Sequence, residues 1–181
     1  LREAQRSLGG ASGEARRAAL TALDELLLSR EDEILAANAA DLAQAERDAL
    51  AGALLERLAL SPKKLATLRA GVRQLAERAD PIGQALLRTE LSPGFVLEQV
   101  KSPLGVLLVI FESRPDAVIQ IGALALKSGN AVLLKGGREA AQSNAVLVAC
   151  LQDALRSAGL DPAAVAGVEG RAAVAELLEL D

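Results

Sequence analysis

The sequence lacks histidine, methionine, tryptophan and tyrosine altogether, and its 181 residues include only two phenylalanines and one cysteine. Without histidine, the protein has neither an imidazole acid–base catalyst nor the commonest nitrogen ligand of metal ions. A single cysteine can form neither an intramolecular disulfide nor a thiolate zinc site, which excludes a disulfide-stapled secreted domain. Because no methionine is present to serve as an initiator, we expect the sequence to be a piece of a longer protein.

The charge balance and the short uncharged stretches restrict the partners of this protein. Lysine and arginine number 20 against 24 aspartates and glutamates, and the net charge of −4 argues against a nucleic-acid partner. The uncharged runs 102–111 and 117–126 are far shorter than the roughly 20 residues of a membrane-spanning helix, and residues 1–6 contain no signal-type apolar core. We expect a cytoplasmic protein with no membrane partner, or a mitochondrial or plastid one if the source is eukaryotic.

Residues 13–79 have the pattern of helices. Apolar residues recur at spacings of three and four between Ala19 and Leu27, which places them on one helical face. Ser29, followed three residues later by an aspartate, predicts the start of a second helix, because a serine oxygen can accept a bond from a free backbone N–H. Ser61 followed by Pro62 predicts a third start, with the helix ending before Pro81.

From residue 86 the pattern changes to that of strands. Residues 86–101, with Ser92-Pro93-Gly94 in the middle, predict a β-hairpin. Residues 105–111 are apolar at every position, which predicts a parallel strand covered on both faces and the most buried of the sheet.

Strands and helices alternate in the remainder of the chain. A helix from about Pro115 to Lys127, a strand at 131–135, a helix at 138–157, a strand at 165–168 and a last helix at 171–180 follow in order. Short links between alternating strands and helices are typical of a doubly wound parallel sheet with right-handed crossovers.

Glu112, Ser113 and Arg114 follow the first parallel strand and form one candidate site. Ligands of open parallel sheets bind at the carboxyl ends of the strands, and a helix start offers free N–H groups for an anion. The planar guanidinium of Arg114 suits a carboxylate or a phosphate. Alternatively, Ser113 or Asp116 only caps the helix while Glu112 and Arg114 are solvated or paired. The residues alone leave both interpretations open.

A second candidate site, Lys135, Gly136, Gly137, Arg138 and Glu139, follows the next strand. Two glycines allow a tight turn and the close approach of a ligand, the two cations could neutralise a phosphate, and Glu139 could bond a ribose hydroxyl. The G-x-G-x-x-G fingerprint of ordinary dinucleotide sites is absent. The residues alone favour a simple strand-to-helix connector here.

Cys150 is the one thiol in the sequence, and it falls in the middle of a predicted helix, away from any glycine or cation. A reactive thiolate needs an electropositive and partly exposed setting, whereas a buried cysteine behaves as a small apolar residue. We therefore expect Cys150 to be structural.

Five segments of the sequence carry a family resemblance: SPLGVLLVIFESRPD at 102–116, LKSGNAVLLKGGREA at 126–140, Ser143-Asn144, EDEILAANAADL at 31–42 and LLERLALS at 54–61. Together they resemble the gamma-glutamyl phosphate reductases, a branch of the aldehyde dehydrogenase superfamily. Their residues are most similar to the reductase half of delta-1-pyrroline-5-carboxylate synthase. The resemblance covers essentially the whole chain, and Glu112-Ser113-Arg114-Pro115 is its most specific part.

The resemblance implies an α/β, aldehyde dehydrogenase-like fold. It implies N-terminal helices at 1–85, a β-hairpin oligomerisation arm at 86–101 and a partial NADP-binding domain at 102–181. That domain would hold a partial doubly wound, Rossmann-like parallel sheet, truncated before the catalytic domain. The family's nucleophilic cysteine lies in that later domain, so no catalytic residue is expected in this chain and the chain alone should be inactive.

The resemblance also implies an activity and its partners. The family reduces gamma-glutamyl phosphate with NADPH to glutamate-5-semialdehyde, in proline biosynthesis. Lys135, Gly136, Gly137, Arg138 and Glu139 would bind NADP(H), Lys135 near the adenosine ribose and Arg138 near its 2′-phosphate. Glu112, Ser113 and Arg114 would line the substrate side. A homo-oligomer is implied, and a fused or partner glutamate kinase is compatible with it.

Two alternatives remain open at this stage. One is a non-catalytic paralogue that binds nucleotide or joins oligomers of the full enzyme. The other is an aldehyde dehydrogenase relative with another acyl substrate.

Overall fold

Five helices form the first half of the chain in the computed structural model, which describes residues 1–170, 174, 176 and 179. They are α1 (Arg2–Gly10), α2 (Gly13–Ser29), α3 (Glu31–Arg47), α4 (Gly52–Leu58) and α5 (Pro62–Glu77). The predicted start at Ser61-Pro62 is confirmed, because the Ser61 hydroxyl accepts a bond from the backbone N–H of Lys64. The helical pattern of residues 13–79 is therefore confirmed, and α1 adds a helix before it.

The predicted helix start at Ser29 is wrong. Ser29 is the last residue of α2, and its hydroxyl donates to the carbonyl of Leu26. Helix α3 begins at Glu31 after the single residue Arg30, whose guanidinium contacts Glu33 at 2.7 Å and Asp153 at 3.2 Å. The helix start is thus fixed by ion pairs and by acidic residues in its first turn, which favour the positive end of the helix dipole, rather than by a serine cap.

The predicted hairpin is confirmed as strands β1 (Ala85–Ser92) and β2 (Phe95–Val100), which pair antiparallel. Gly94 takes a positive φ of 79° in the turn, a conformation that costs glycine little. Every residue of both strands is exposed, so the hairpin extends away from the rest of the chain.

A parallel sheet follows, with strands in the order β3 (Val106–Ile110), β4 (Ala131–Lys135) and β5 (Val165–Gly167). Helix α6 (Asp116–Lys127) connects β3 to β4, and α7 (Ala141–Ser157) connects β4 to β5 after a 3₁₀ turn at Arg138–Ala140. The predicted partial parallel sheet with crossover helices is confirmed. The predicted last helix at 171–180 lies mostly outside the described residues.

The expected burial of the first parallel strand is wrong. Val106 is 38% exposed and Ile110 is 56% exposed, whereas the first four residues of β4 are all buried. Within the described part of the chain, β3 pairs only with β4, so it is an edge strand and β4 is central. An uninterrupted apolar run therefore does not distinguish an edge strand from a central one.

One hydrophobic core joins the first-half helices to the sheet. Leu20, Leu23 and Leu27 of α2 share it with Leu126 of α6 and Leu151 of α7, all with no exposed surface. The helices at 13–77 thus brace the crossover helices, and the crossover helices position the loops at the carboxyl ends of the strands. Among the described residues, no helix has both the length and the apolar character needed to cross a membrane.

Candidate functional site

A cleft of about 1100 Å³ opens at the carboxyl ends of β3 and β4. This is the edge at which parallel sheets bind ligands, since the strand ends and the following loops meet there. Seven of the eight candidate site residues line the cleft: Glu112, Ser113, Lys135, Gly136, Gly137, Arg138 and Glu139. The two loops that follow β3 and β4 therefore form one site.

Arg114 is the candidate that does not line this cleft. Its side chain is 53% exposed and forms an ion pair with Asp116 at 2.9 Å. The pairing raises the pKa of Arg114, mainly through the hydrogen bond to that carboxylate. An anion that approached Arg114 would compete with Asp116 for the guanidinium.

Ser113 is nearly fully buried, and both of its donors point to Glu139. Its backbone N–H lies 2.8 Å and its hydroxyl 2.6 Å from Oε1 of Glu139. Ser113 also has a positive φ of 44°, which is uncommon for a residue other than glycine. Neither Ser113 nor Asp116 caps α6, whose N-cap residue is Pro115 without a side-chain bond.

The contact with Ser113 keeps Glu139 ionised. Burial on its own would raise the pKa of Glu139. The Ser113 hydroxyl, the backbone N–H groups of Glu139 and Ser113, and the charge of Lys135 together outweigh burial and bring the pKa below its usual value. Hydrogen bonds to the charged form of a carboxylate have this effect.

The two glycines of the second loop leave room for neighbouring side chains in their present conformation. A Cβ on Gly137 would overlap the carboxylate of Glu139, and a Cβ on Gly136 would overlap the side-chain amide of Asn144. The space beside the glycines is therefore filled by atoms of the chain itself.

The two cations of the second loop have no carboxylate partner in the described part of the chain. Lys135 is half-buried and Arg138 is exposed, and neither forms an ion pair there. Both cations are therefore available to contact an anionic group of a ligand, although the carboxylates of Glu112, Glu139 and Glu169 line the same cleft.

Asn144 and Asp41 are two residues of this region that the sequence did not single out as site residues. Asn144 lines the cleft, and its buried Oδ1 has no hydrogen-bond partner among the described residues. Asp41 of α3 lies below the cleft and accepts bonds from the N–H of Gln142 at 3.1 Å and from the N–H and hydroxyl of Ser143 at 2.8 and 2.6 Å. No local pattern reveals either contact, since each depends on residues that are distant in sequence.

Asp41 occupies the start of α7, and this affects how an anion can bind in the cleft. The N–H groups of Gln142 and Ser143 are those that a phosphate would use at a helix N-terminus. Because the carboxylate of Asp41 already accepts from these two N–H groups, they are not available to an anion in the cleft.

Cys150 lies in α7 with no exposed surface and does not line the cleft. Burial raises the pKa of its thiol to about 11, although the charge of Arg30 acts in the opposite direction. The thiol is therefore protonated and inaccessible near neutral pH.

Comparison with known sequences finds close relatives. No protein-family model matches the chain. A gamma-glutamyl phosphate reductase of Cyanothece sp. is 52% identical over 180 residues, which is 99% of this chain and 42% of the relative. A delta-1-pyrroline-5-carboxylate synthase A of Arabidopsis thaliana is 43% identical over 185 residues, which is 99% of this chain and 25% of the relative. The chain thus spans about two fifths of the length of the curated reductases it matches.

Solved structures with the same fold carry the same name or that of aldehyde dehydrogenases. The crystal structure of a gamma-glutamyl phosphate reductase from Thermotoga maritima aligns with a TM-score of 0.93 at 31% identity, over 99% of this chain and 44% of that one. A methylmalonate-semialdehyde dehydrogenase from Oceanimonas doudoroffii aligns with a TM-score of 0.70 at 21% identity, over 99% of this chain and 34% of that one. The second likeness shows that the fold is that of aldehyde dehydrogenases.

Proposed function

We propose that this chain, which is homologous along its whole length to part of the gamma-glutamyl phosphate reductases, is the cofactor-binding part of such an enzyme. The reaction would be the NADPH-dependent reduction of L-glutamyl 5-phosphate to glutamate-5-semialdehyde in proline biosynthesis. The observation that supports it is the cleft at the strand ends, in which Lys135 and Arg138, beside a Gly-Gly turn, form no ion pair with any residue that the structure describes.

The cleft fits the adenosine end of NADP(H) in three respects. Its volume of about 1100 Å³ suits a large ligand. The cations supply charge for a phosphate, with Lys135 near the adenosine ribose and Arg138 at the 2′-phosphate. The Oδ1 of Asn144 is an acceptor without a partner, which a ligand hydroxyl or amine can satisfy. The bound cofactor would supply the hydride, while these residues bind and orient it.

The loop after β3 would face the substrate. Glu112 and Ser113 line the cleft next to the proposed cofactor loop. Arg114 would bind the phosphate or carboxylate of the substrate, in exchange for its present contact with Asp116. We assign no nucleophile in this chain, because Cys150 is fully buried, and we expect no turnover from the chain alone.

The exposed hairpin would serve as the oligomerisation arm of a homo-oligomer. Its two strands carry apolar side chains without covering neighbours, among them Leu87, Phe95 and Leu97. A fused or partner glutamate kinase is compatible with this assembly, since the A. thaliana relative is a delta-1-pyrroline-5-carboxylate synthase.

Titration of the 181-residue chain with NADPH, followed by cofactor fluorescence, tests the cofactor assignment. We expect binding in the micromolar range, and Lys135→Ala should raise the Kd at least about tenfold through the loss of one charge contact. Arg138→Ala should weaken NADPH binding more than NADH binding, because only NADPH has the 2′-phosphate. Lys63→Ala removes an exposed cation at the start of α5, outside the cleft, and should leave the Kd values of NADPH and NADH unchanged.

Two results would contradict the assignment. An equal loss of NADPH affinity in Lys135→Ala and Lys63→Ala would show that binding depends only on the net charge of the protein. Absence of NADPH binding, together with assembly of the chain onto full-length reductase, would favour the oligomer-joining paralogue instead.

A further inference from the structure

The carboxylate of Glu139 is engaged by the protein itself before any ligand binds. Both donors of Ser113 converge on Oε1, at 2.8 Å from the backbone N–H and 2.6 Å from the hydroxyl. Bonds to an ionised acceptor are about twice as strong as neutral ones. Glu139 also lines the cleft, so one carboxylate contacts the neighbouring loop and the ligand space together.

This contact joins two loops that are separate in sequence. Ser113 follows β3, and Glu139 lies 26 residues later in the turn after β4. Gly137 provides the room for the carboxylate, since any side chain at that position would overlap it. The glycine, the glutamate and the serine therefore form one steric and hydrogen-bonded unit across the cleft.

The conformation of Ser113 requires such a restraint. A residue other than glycine with a φ of 44° is in the left-handed region, where the Cβ crowds the carbonyl oxygen of the backbone. A loop held in this conformation relaxes when its restraint is removed. Among the described residues, the two bonds to Glu139 are the hydrogen bonds that the structure gives Ser113 with another side chain.

We propose that Glu139 is a positioning residue. It belongs to the loop after β4 on one side of the cleft, and through Ser113 it fixes the 112–114 loop on the other side. The inference rests on the proposed function, in which residues 112–114 face the substrate and residues 135–139 face the cofactor. Glu139 then acts on the substrate side through Ser113, and its contribution to cofactor affinity is small. Lys135 and Arg138, by contrast, are free to contact the cofactor.

The amide proton of Ser113, observed by NMR, provides a direct test on the 181-residue chain. In the unmodified chain this proton should shift upfield as the pH falls, with a midpoint below the usual range of a glutamate, because it reports protonation of the carboxylate it bonds. Glu139→Gln should abolish the titration. Glu169→Gln removes a charge from the same cleft without touching Ser113 and should preserve it.

A second variant keeps the test decisive if Glu139→Gln fails to fold. Ser113→Ala removes only the hydroxyl donor, and the ¹³C titration of the Glu139 carboxyl should then move to higher pH. A Ser113 amide that does not titrate in the unmodified chain, or a Glu139 titration unchanged by Ser113→Ala, overturns the proposal.

NADPH titrations separate positioning from ligand contact. Glu139→Gln should change the NADPH Kd by less than about threefold, whereas Lys135→Ala should raise it at least about tenfold. If Glu139→Gln loses as much NADPH affinity as Lys135→Ala does, Glu139 contacts the ligand and the inference is overturned. If the unmodified chain binds no NADPH, the proposed cofactor site fails, while the Ser113 amide still decides the role of Glu139.

Discussion

Two buried polar residues of α3, Asn38 and Asp41, connect the first-half helices to the base of the cleft. Asp41 is 4% exposed and accepts three bonds at the start of α7, whose residues lie about one hundred positions later in the sequence. Asn38 donates to the carbonyl of Leu58 and to the hydroxyl of Ser143, and it accepts from the N–H of Leu60. A buried polar group with every bond formed fixes one arrangement of its neighbours. The α7 start, and with it the turn that carries Arg138 and Glu139, is therefore held in place by α3.

Asp41→Asn tests this connection. The amide replaces one acceptor oxygen with a donor that faces the N–H groups of Gln142 and Ser143, so we expect a loss of about 2–3 kcal/mol in the free energy of unfolding. Urea denaturation followed by circular dichroism measures it. Asp48→Asn, at the exposed end of the same helix, should cost less than about 0.5 kcal/mol. An equal loss in the free energy of unfolding in the two variants would contradict the proposed role of Asp41 in holding the start of α7.

Among the secondary-structure elements, α6 and α7 approach each other closely at Gly122. A Cβ at this position would overlap the side chain of Leu151, so the residue permits the two helices to pack at this distance. Gly71 in α5 presents the opposite case, because it is exposed and nothing lies within 4 Å of the place where its Cβ would stand. The same residue type is thus required in one helix and unfavourable in the other.

Alanine substitutions at the two helical glycines should have opposite signs. Gly71→Ala should raise the free energy of unfolding by about 0.5–1 kcal/mol, since alanine loses less backbone entropy in a helix. Gly122→Ala should lower it by about 1–3 kcal/mol through overpacking against Leu151. Chemical denaturation of both variants beside the unmodified chain gives the comparison. A gain in stability for Gly122→Ala would show that the α6–α7 contact adapts.

At the scale of the whole molecule, the chain consists of a shared hydrophobic core and a hairpin outside it. The core includes side chains from α2, α5, α6, α7 and the sheet, whereas β1 and β2 are exposed along their whole length. Exposed apolar residues concentrated on one projecting element are typical of an interaction surface.

Self-association through the hairpin is the corresponding prediction. Sedimentation velocity should show a concentration-dependent oligomer for the unmodified chain, and Leu97→Glu should shift it towards the monomer because Leu97 is 56% exposed on β2. Leu28→Glu changes a residue of similar exposure, 53%, on α2 and should leave the oligomer intact. At a protein concentration at which the unmodified chain is monomeric, both variants should unfold at the same denaturant concentration as it does, since neither side chain belongs to the core. A monomer at all concentrations would contradict the oligomerisation arm.

The local features of this fold could be predicted from the sequence. The serine cap before Pro62, the turn around Gly94 and the apolar faces of α2 and α5 depend on residues within a few positions of each other. Short-range sterics and hydrogen bonds decide such features, and these are present in the sequence pattern itself. The placement of both candidate loops at strand ends followed from the alternation of strands and helices.

The sequence by itself determined the helices, the hairpin, the parallel sheet and the edge at which ligands would bind. Only the tertiary structure decided that β3 lies at the edge of the sheet in the described part of the chain, that Glu139 bonds Ser113, and that Asp41 occupies the start of α7. The physical reason is that each of these depends on which distant segments become neighbours. That choice is made by the packing of the whole core, which a local pattern of residues does not encode.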